Sequence, residues 1–313
     1  MTGDDRAMNE PVASEPDTAA FARERPLLVG VAYRMLGSVN DAEDVVQEAW
    51  LRWARVDTDA VVDPRAFLVR TVTRLAIDRL RRVKARRETY VGPWLPEPLL
   101  TGPDAMTAPV ADPAADVDRA ESVSMAMLVV LETLSPLERS VFVLHEAFGY
   151  PYADIGEILG RSPATVRQLA HRAREHVQAR RPRFETDAAK RRAATERFLQ
   201  ASVGGDLSEL LELLAPDATL WADGGGKAKA PRRPIVGRDK IARFFVGISG
   251  EIIPPGGSVL ITEVNGGPAA VLYTAAGPLA MAMVELDPDS SRITVIRLIG
   301  NPDKMAGLEA GHS

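Results

Sequence analysis

Apolar residues return at helical spacing through the first part of the chain. Leu27, Leu28, Val31, Ala32 and Met35 share one face of a helix that Gly37-Ser38 closes. The pattern restarts in "NDAEDVVQEAWLRW", with Asn40 or Asp41 read as the cap and acidic residues in the first turn, where the helix dipole favours them. Ala42, Val45, Val46, Ala49 and Trp53 then face a core, and Asp41, Asp44, Gln47 and Glu48 form an acidic outer face. After Asp63-Pro64 one long helix turns Phe67, Leu68, Val72, Leu75, Ala76 and Leu80 inward, and Arg79, Arg81, Arg82, Lys84, Arg86 and Arg87 crowd its end. So dense a basic run is either a solvated terminus or a nucleic-acid contact, because each arginine can neutralise a phosphate or stack on an unstacked base.

The helical period is then lost. Pro93, Pro96, Pro98, Pro103, Pro109 and Pro113 rule out regular elements and mark a linker. Tyr90, Trp94, Leu95, Leu99 and Leu100 are apolar anchors of little use to a solvated spacer, so "GPWLPEPLL" is expected to dock on a neighbouring surface. Helical spacing resumes from about Ala120 to Arg181. Ser135-Pro136 and Ser162-Pro163 each launch a helix, cap followed by proline. Gly160-Arg161-Ser162 makes a tight turn between two helices that point Ile155, Ile158, Leu159, Val166, Leu169 and Ala170 inward, a helix-turn-helix pattern. Thr165, Arg167, Gln168, His171, Arg172 and Arg174 lie outward, able to read base edges or grip phosphates, and the basic run continues through Arg180, Arg181 and Arg183.

The last third changes period. Two helices separated by Gly204-Gly205-Asp206 precede a strand read as ending at Leu220-Trp221 and turning through Asp223, Gly224 and Gly225. A further helix and the strand patterns "GSVLITEVN", "PAAVLYTAA", "PLAMAMVELD" and "RITVIRLIGN" follow, which together make an α+β unit. "DGGGK" at 223–227 suggests a phosphate cradle, but Pro231 and Pro234 keep a helix from starting where phosphate would be held.

Composition adds bounds. The chain has 313 residues, 46% of them hydrophobic, enough for more than one core. With no cysteine there is no disulfide or thiolate metal site, and no stretch reads as a signal peptide or membrane span. A net charge of −5 averages over the basic blocks that decide local binding.

"NDAEDVVQEAWLR", "LAIDRLRR" and "LSPLERSVFVLHEAFGYPYADIGEILGRSPATVRQLAHRARE" resemble the two conserved domains of extracytoplasmic-function sigma factors. "DLSELLELLAPDATLWADGG" with "IVGRDKIARFF" resembles the SnoaL-like cone-shaped α+β barrels. With "GPWLPEP", "DGGGK" and "NPDK", the whole looks like the sigma-factor subgroup bearing a fused SnoaL-like domain, regarded there as a regulator within the chain. Around an acidic lead whose composition reads as disordered (1–18) and the proline-rich linker (91–119), the resemblance implies a region 2 helical domain (19–90), a region 4 helix-turn-helix domain (120–182) and a SnoaL-like domain with a short tail (183–313). It implies binding of bacterial RNA polymerase core through Asp41, Asp44, Gln47 and Glu48. Contact with the minus-ten element would fall to Arg74, Asp78, Arg79, Arg81, Arg82, Lys84 and Arg86, and with the minus-thirty-five element to Ser162, Thr165, Arg167, Gln168, His171, Arg172 and Arg174. One departure is Arg74, four residues before Asp78, where such proteins usually have asparagine.

Interdomain regulation is expected at Trp94, Leu95, Pro96, Asp223, Gly224, Gly225, Gly226 and Lys227, with the barrel packed on the helical domains. A cytoplasmic protein follows, with no cofactor, no metal, no membrane partner, no catalytic residue and no separate anti-sigma factor required. The cone has room for an unknown small apolar ligand. Two other classes stay open: a one-component transcription factor with a ligand-binding barrel, which leaves the acidic face unexplained, and an enzyme tethered to DNA. The domain has no histidine before His312, and its carboxylates are Asp217, Asp223, Asp239 and Glu285 among others.

Overall fold

The computed structural model describes residues 18–87, 89–101, 124–180 and 187–311. The acidic lead before Thr18, the linker residues 102–119, Arg181, Arg183 and His312 lie outside them, as do the side chains of Lys84 and Arg86.

Three helices open the chain: α1 (Thr18–Leu36), α2 (Val39–Trp53) and α3 (Pro64–Arg87). Their inward faces are those the periodicity predicts, with Leu28, Val31, Ala32, Val45, Trp53, Leu68, Val72 and Ala76 all buried. The cap of α2 differs. Ser38, not Asn40 or Asp41, is the N-cap, its Oγ accepting from the Asp41 amide at 3.1 Å. The amides of Val39 and Asn40 are bound by a carboxylate from elsewhere in the chain, described below.

The second helical unit comprises α4 (Met125–Leu131), α5 (Pro136–Phe142, continuing as a π-helical stretch Val143–Ala147), α6 (Tyr152–Leu159) and α7 (Pro163–Arg180). Ser135 and Glu138 close a capping box on α5. The turn between α6 and α7 crosses so close to α6 that a methyl group at Gly156 would meet the Arg161 carbonyl at 2.7 Å. The two helical units share one buried core, in which Val141, Leu144, Ile155 and Ile158 join the residues of α1–α3.

The C-terminal unit contains α8 (Ala188–Gly204), α9 (Leu207–Leu213), α10 (Arg238–Ile252) and strands β1 (Leu214–Asp223), β2 (Ile235–Val236), β3 (Ser258–Val264), β4 (Gly267–Thr274), β5 (Gly277–Leu286) and β6 (Ile293–Ile299). The sheet order is β2-β1-β6-β5-β4-β3, with β1 and β6 parallel and the other pairs antiparallel. This is the expected cone-shaped α+β architecture, its sheet open between β2 and β3. β1 runs past Trp221 to Asp223, so the aspartate expected in a turn is instead a fully buried strand end.

Each face of the sheet is covered differently. On one, Phe198, Leu210, Ile241 and Phe245 pack against β1, β5 and β6. A second cluster joins Val264, Val271, Met281 and Ile299 to Leu95 and Leu100 of the linker and Met125 of α4. Burial on both faces explains why "GPAAVLYT" is a continuous apolar run without alternation. Leu95 and Leu100 are each 2% exposed, worth roughly 2 kcal/mol apiece as an upper bound.

Candidate functional site

Asp44, Gln47 and Glu48 are exposed on α2, and Asp41 is half-buried. The face is not bare. Arg79 of α3 reaches back to it, its Nε donating to Asp41 at 2.9 Å and its Nη2 to Asp44 at 3.0 Å. The hydrogen bond to Asp41 holds the Arg79 guanidinium more firmly protonated than usual. Sequence reasoning kept the acidic and basic helices apart; the structure joins them through this side chain.

Along α3, Arg81 pairs with Asp78 at 3.0 Å and Arg82 is exposed. Arg74, the departure from the usual asparagine, donates from Nε to the Ile158 carbonyl of α6 at 3.1 Å. It therefore ties the first helical unit to the second. Arg139 of α5 does the same from the other side, bonding the Arg34 carbonyl at 3.1 Å and Glu132 at 2.6 Å, and burial pulls its pKa down to about 9.

On α7, Arg167, Gln168, His171 and Arg172 are exposed along one face. Ser162 serves locally as a cap, its Oγ accepting from the Thr165 amide at 3.2 Å and lying 2.9 Å from the Thr165 hydroxyl. Arg174 braces the fold, donating to Glu146 at 2.7 Å and to the Tyr152 hydroxyl at 2.8 Å. The open part of the face is thus Arg167 to Arg172.

The linker residues 89–101 form a strap between the first helical unit and the sheet. Toward the sheet, the buried Asp223 carboxylate is the anchor. Its Oδ1 accepts from the Tyr90 hydroxyl at 2.6 Å and the Gly225 amide at 3.1 Å; its Oδ2 accepts from the Leu95 amide at 2.8 Å and Lys304 Nζ at 2.7 Å. Lys304 also donates to the Leu95 carbonyl, and its ammonium stands 4.1 Å over the Trp94 ring. Burial and the adjacent Asp223 carboxylate both push the Tyr90 hydroxyl's pKa up, so it remains a donor.

Toward the helices, Glu97 is the anchor. Its Oε1 accepts from Ser38 Oγ at 2.6 Å, and its Oε2 from the Val39 amide at 2.6 Å and the Asn40 amide at 3.3 Å. The strap's carboxylate thus completes the start of α2. Burial raises the pKa of Glu97, opposed by these donors. Tyr33 donates to the Glu97 carbonyl at 2.7 Å and accepts from Asn265 of the β3–β4 turn at 2.6 Å, so helix, strap and sheet meet in one hydrogen-bonded chain.

Trp94, Leu95, Pro96 and Asp223 come together, with Leu95, Pro96 and Asp223 buried and Trp94 partly buried. Gly225 and Gly226 have φ of +60° and +73°, the left-handed turn that brings this backbone against Asn301 and Val91. Lys227 goes elsewhere: it is exposed and pairs with Asp303 at 2.6 Å, inside the C-terminal unit. Lys304 takes the junction role expected of Lys227. Glu97 and Lys304 lie inside "GPWLPEP" and "NPDK", motifs that point to this region without singling out either side chain, and no sequence signal marks Tyr33 or Asn265. Among the described residues no cluster of His, Asp and Glu could hold a metal ion.

Residues 20–87 match the family model "Sigma-70 region 2", and residues 124–177 match "Sigma-70, region 4". The chain is 42% identical over 301 residues to the ECF RNA polymerase sigma factor SigJ of Mycobacterium tuberculosis, covering 93% of this chain and 94% of that one. It is 33% identical over 302 residues to the probable ECF RNA polymerase sigma factor SigI of the same species, covering 95% and 97%. The crystal structure of M. tuberculosis SigJ superposes with a TM-score of 0.71 at 39% identity, covering 92% of this chain and 98% of that one.

Proposed function

The chain belongs to the extracytoplasmic-function RNA polymerase sigma factors, and from that premise we propose that its C-terminal α+β unit regulates it in cis through the strap. RNA polymerase core and promoter DNA are the partners of a sigma factor. Core binding then falls to Asp41, Asp44, Gln47 and Glu48, minus-ten contact to the exposed basic part of α3, and base reading to Arg167 and Gln168. The observation that carries the regulatory part is the strap itself, which caps α2 with Glu97 while its other side is bound to Asp223 and Lys304.

The arrangement has a further consequence for promoter binding. The minus-ten and minus-thirty-five elements lie roughly 25 base pairs apart, about 85 Å of B-DNA at ~3.4 Å per pair. Two helical units that share a buried core do not span that distance, so engagement of both elements requires them to part. The Arg74 bond to Ile158 is then a latch of the closed state. Regulation inside one chain needs no separate anti-sigma factor, because tethering keeps even a modest interface occupied. Such a protein acts in the cytoplasm and without catalysis. Asp223 and Glu285 are engaged by Lys304 and Arg297, which leaves neither as a free base. Among the described residues no helix is long and apolar enough to cross a membrane.

Run-off transcription with purified core polymerase tests the proposal. The full chain is expected to direct initiation from its cognate promoter, and Trp94→Ala to change the yield while each unit stays folded. An unchanged yield would refute control through the strap. On DNA, Arg167→Ala or Gln168→Ala should relax base preference by ~1–3 kcal/mol if the residue makes a bidentate base contact, whereas Arg180→Ala should weaken all duplexes alike. Binding to matched and mismatched upstream elements distinguishes the two, and equal losses on both would rule out base reading.

A further inference from the structure

The C-terminal unit holds an apolar cavity of about 580 Å³ among α8, α10 and the strands, lined by Phe198, Leu199, Ile248, Leu272, Met281 and Ala282 with others. Polar groups in the lining are few. The buried Ser202 hydroxyl has no hydrogen-bond partner, the Asp223 carboxylate is already bound by its donors, and the exposed Lys229–Glu251 pair at 3.2 Å marks the open side. Such a lining suits an uncharged, mainly apolar molecule with a hydrogen-bonding group. An ionic ligand would find no free buried counter-charge, and the cost of burying it unpaired exceeds what the apolar walls return.

One wall of this cavity is the glycine-rich loop, through Ala228, Ala230 and Pro231. The same loop also seats the strap. A methyl group at Gly226 would stand 3.2 Å from Val91 Cβ, and one at Gly92 would stand 3.7 Å from the Arg232 Cα. Asp223, from which the loop departs, lines the cavity and binds both Tyr90 and Leu95. A ligand pressing on this wall therefore presses on the strap.

We propose that the cavity binds an uncharged apolar small molecule, and that its occupancy is transmitted through the loop 224–234 to strap residues 89–97. A ligand shifts an equilibrium only by binding its two states unequally, and the shared wall provides that difference. The transmission, though not the binding, rests on reading the C-terminal unit as a regulator.

The test uses the full chain and the neutral fluorophore N-phenyl-1-naphthylamine. Its fluorescence is expected to rise saturably with one site per chain, and Ala282→Phe, which fills the cavity, to weaken binding by about tenfold or more. Ile248→Trp, filling it from α10, guards against one variant failing to fold, with thermal unfolding followed for both. Amide hydrogen exchange of residues 89–97 should change on adding the probe to the native chain and not to the filled variants. Binding that survives both folded variants, or no saturable binding, overturns the site. Saturable binding with exchange at 89–97 unchanged overturns the transmission. No arm contains polymerase, so either failure leaves the sigma-factor reading intact.

Discussion

Asp223→Ala is expected to destabilise the folded chain by about 3–5 kcal/mol, the cost of stripping one partner from a buried ion pair. The Asp223 side chain is 0% exposed and that of Lys304 5%, so water cannot replace the lost carboxylate. The Tyr90 hydroxyl and the Leu95 amide lose their acceptor in the same step. Lys304→Met should be milder, because Asp223 keeps its neutral donors and the methionine still fills the space beside Trp94. The double change Asp223→Asn with Lys304→Met should recover much of the loss, since replacing both charges leaves neither unpaired. Denaturant unfolding of the four chains measures this. A loss below about 1 kcal/mol for Asp223→Ala would mean that the pair is no stronger than a surface salt bridge.

The second large effect concerns the polymerase. Reversing Asp44 and Glu48 to lysine is expected to weaken binding to core by about 3 kcal/mol, on the order of a hundredfold, through like-charge repulsion at the contact. Both carboxylates are exposed, 60% and 52% by side chain, on the polar side of a helix whose core residues are untouched. Stability should therefore change little, although Arg79 loses its Asp44 contact and keeps Asp41. Pull-down with purified core, beside a melting curve, separates binding from folding. Native-strength association would sink the assignment of this face.

The helices and the site they carry were legible to different degrees. Helical period, proline starts and the glycine turn at 160 placed α1–α3 and the helix-turn-helix, because each signal acts within a turn or two of the chain. Arg167, Gln168, His171 and Arg172 are exposed on α7 for the same local reason. Arg174 and Ser162 share that outward pattern, yet the fold uses them as a brace and a cap. A periodicity argument names the face and not which of its members are already bound.

By itself the sequence determined the order of units, most of their secondary structure and the acidic and basic faces, and it raised the expectation that "GPWLPEP" docks on a neighbouring surface. Only the tertiary structure decided the pairing. Tyr33 and Asn265 meet across 232 positions, Leu95 and Asp223 across 128, and Ser38 and Glu97 across 59. No local rule links such residues. Lys227 and Lys304 illustrate the reason: the lysine beside the glycines is the conspicuous one, but it stands in solvent against Asp303, whereas Lys304 is buried and must find Asp223 and the Trp94 ring. Burial, which turns an ordinary charge into an obligatory contact, belongs to the packed chain and has no signature in the order of its residues.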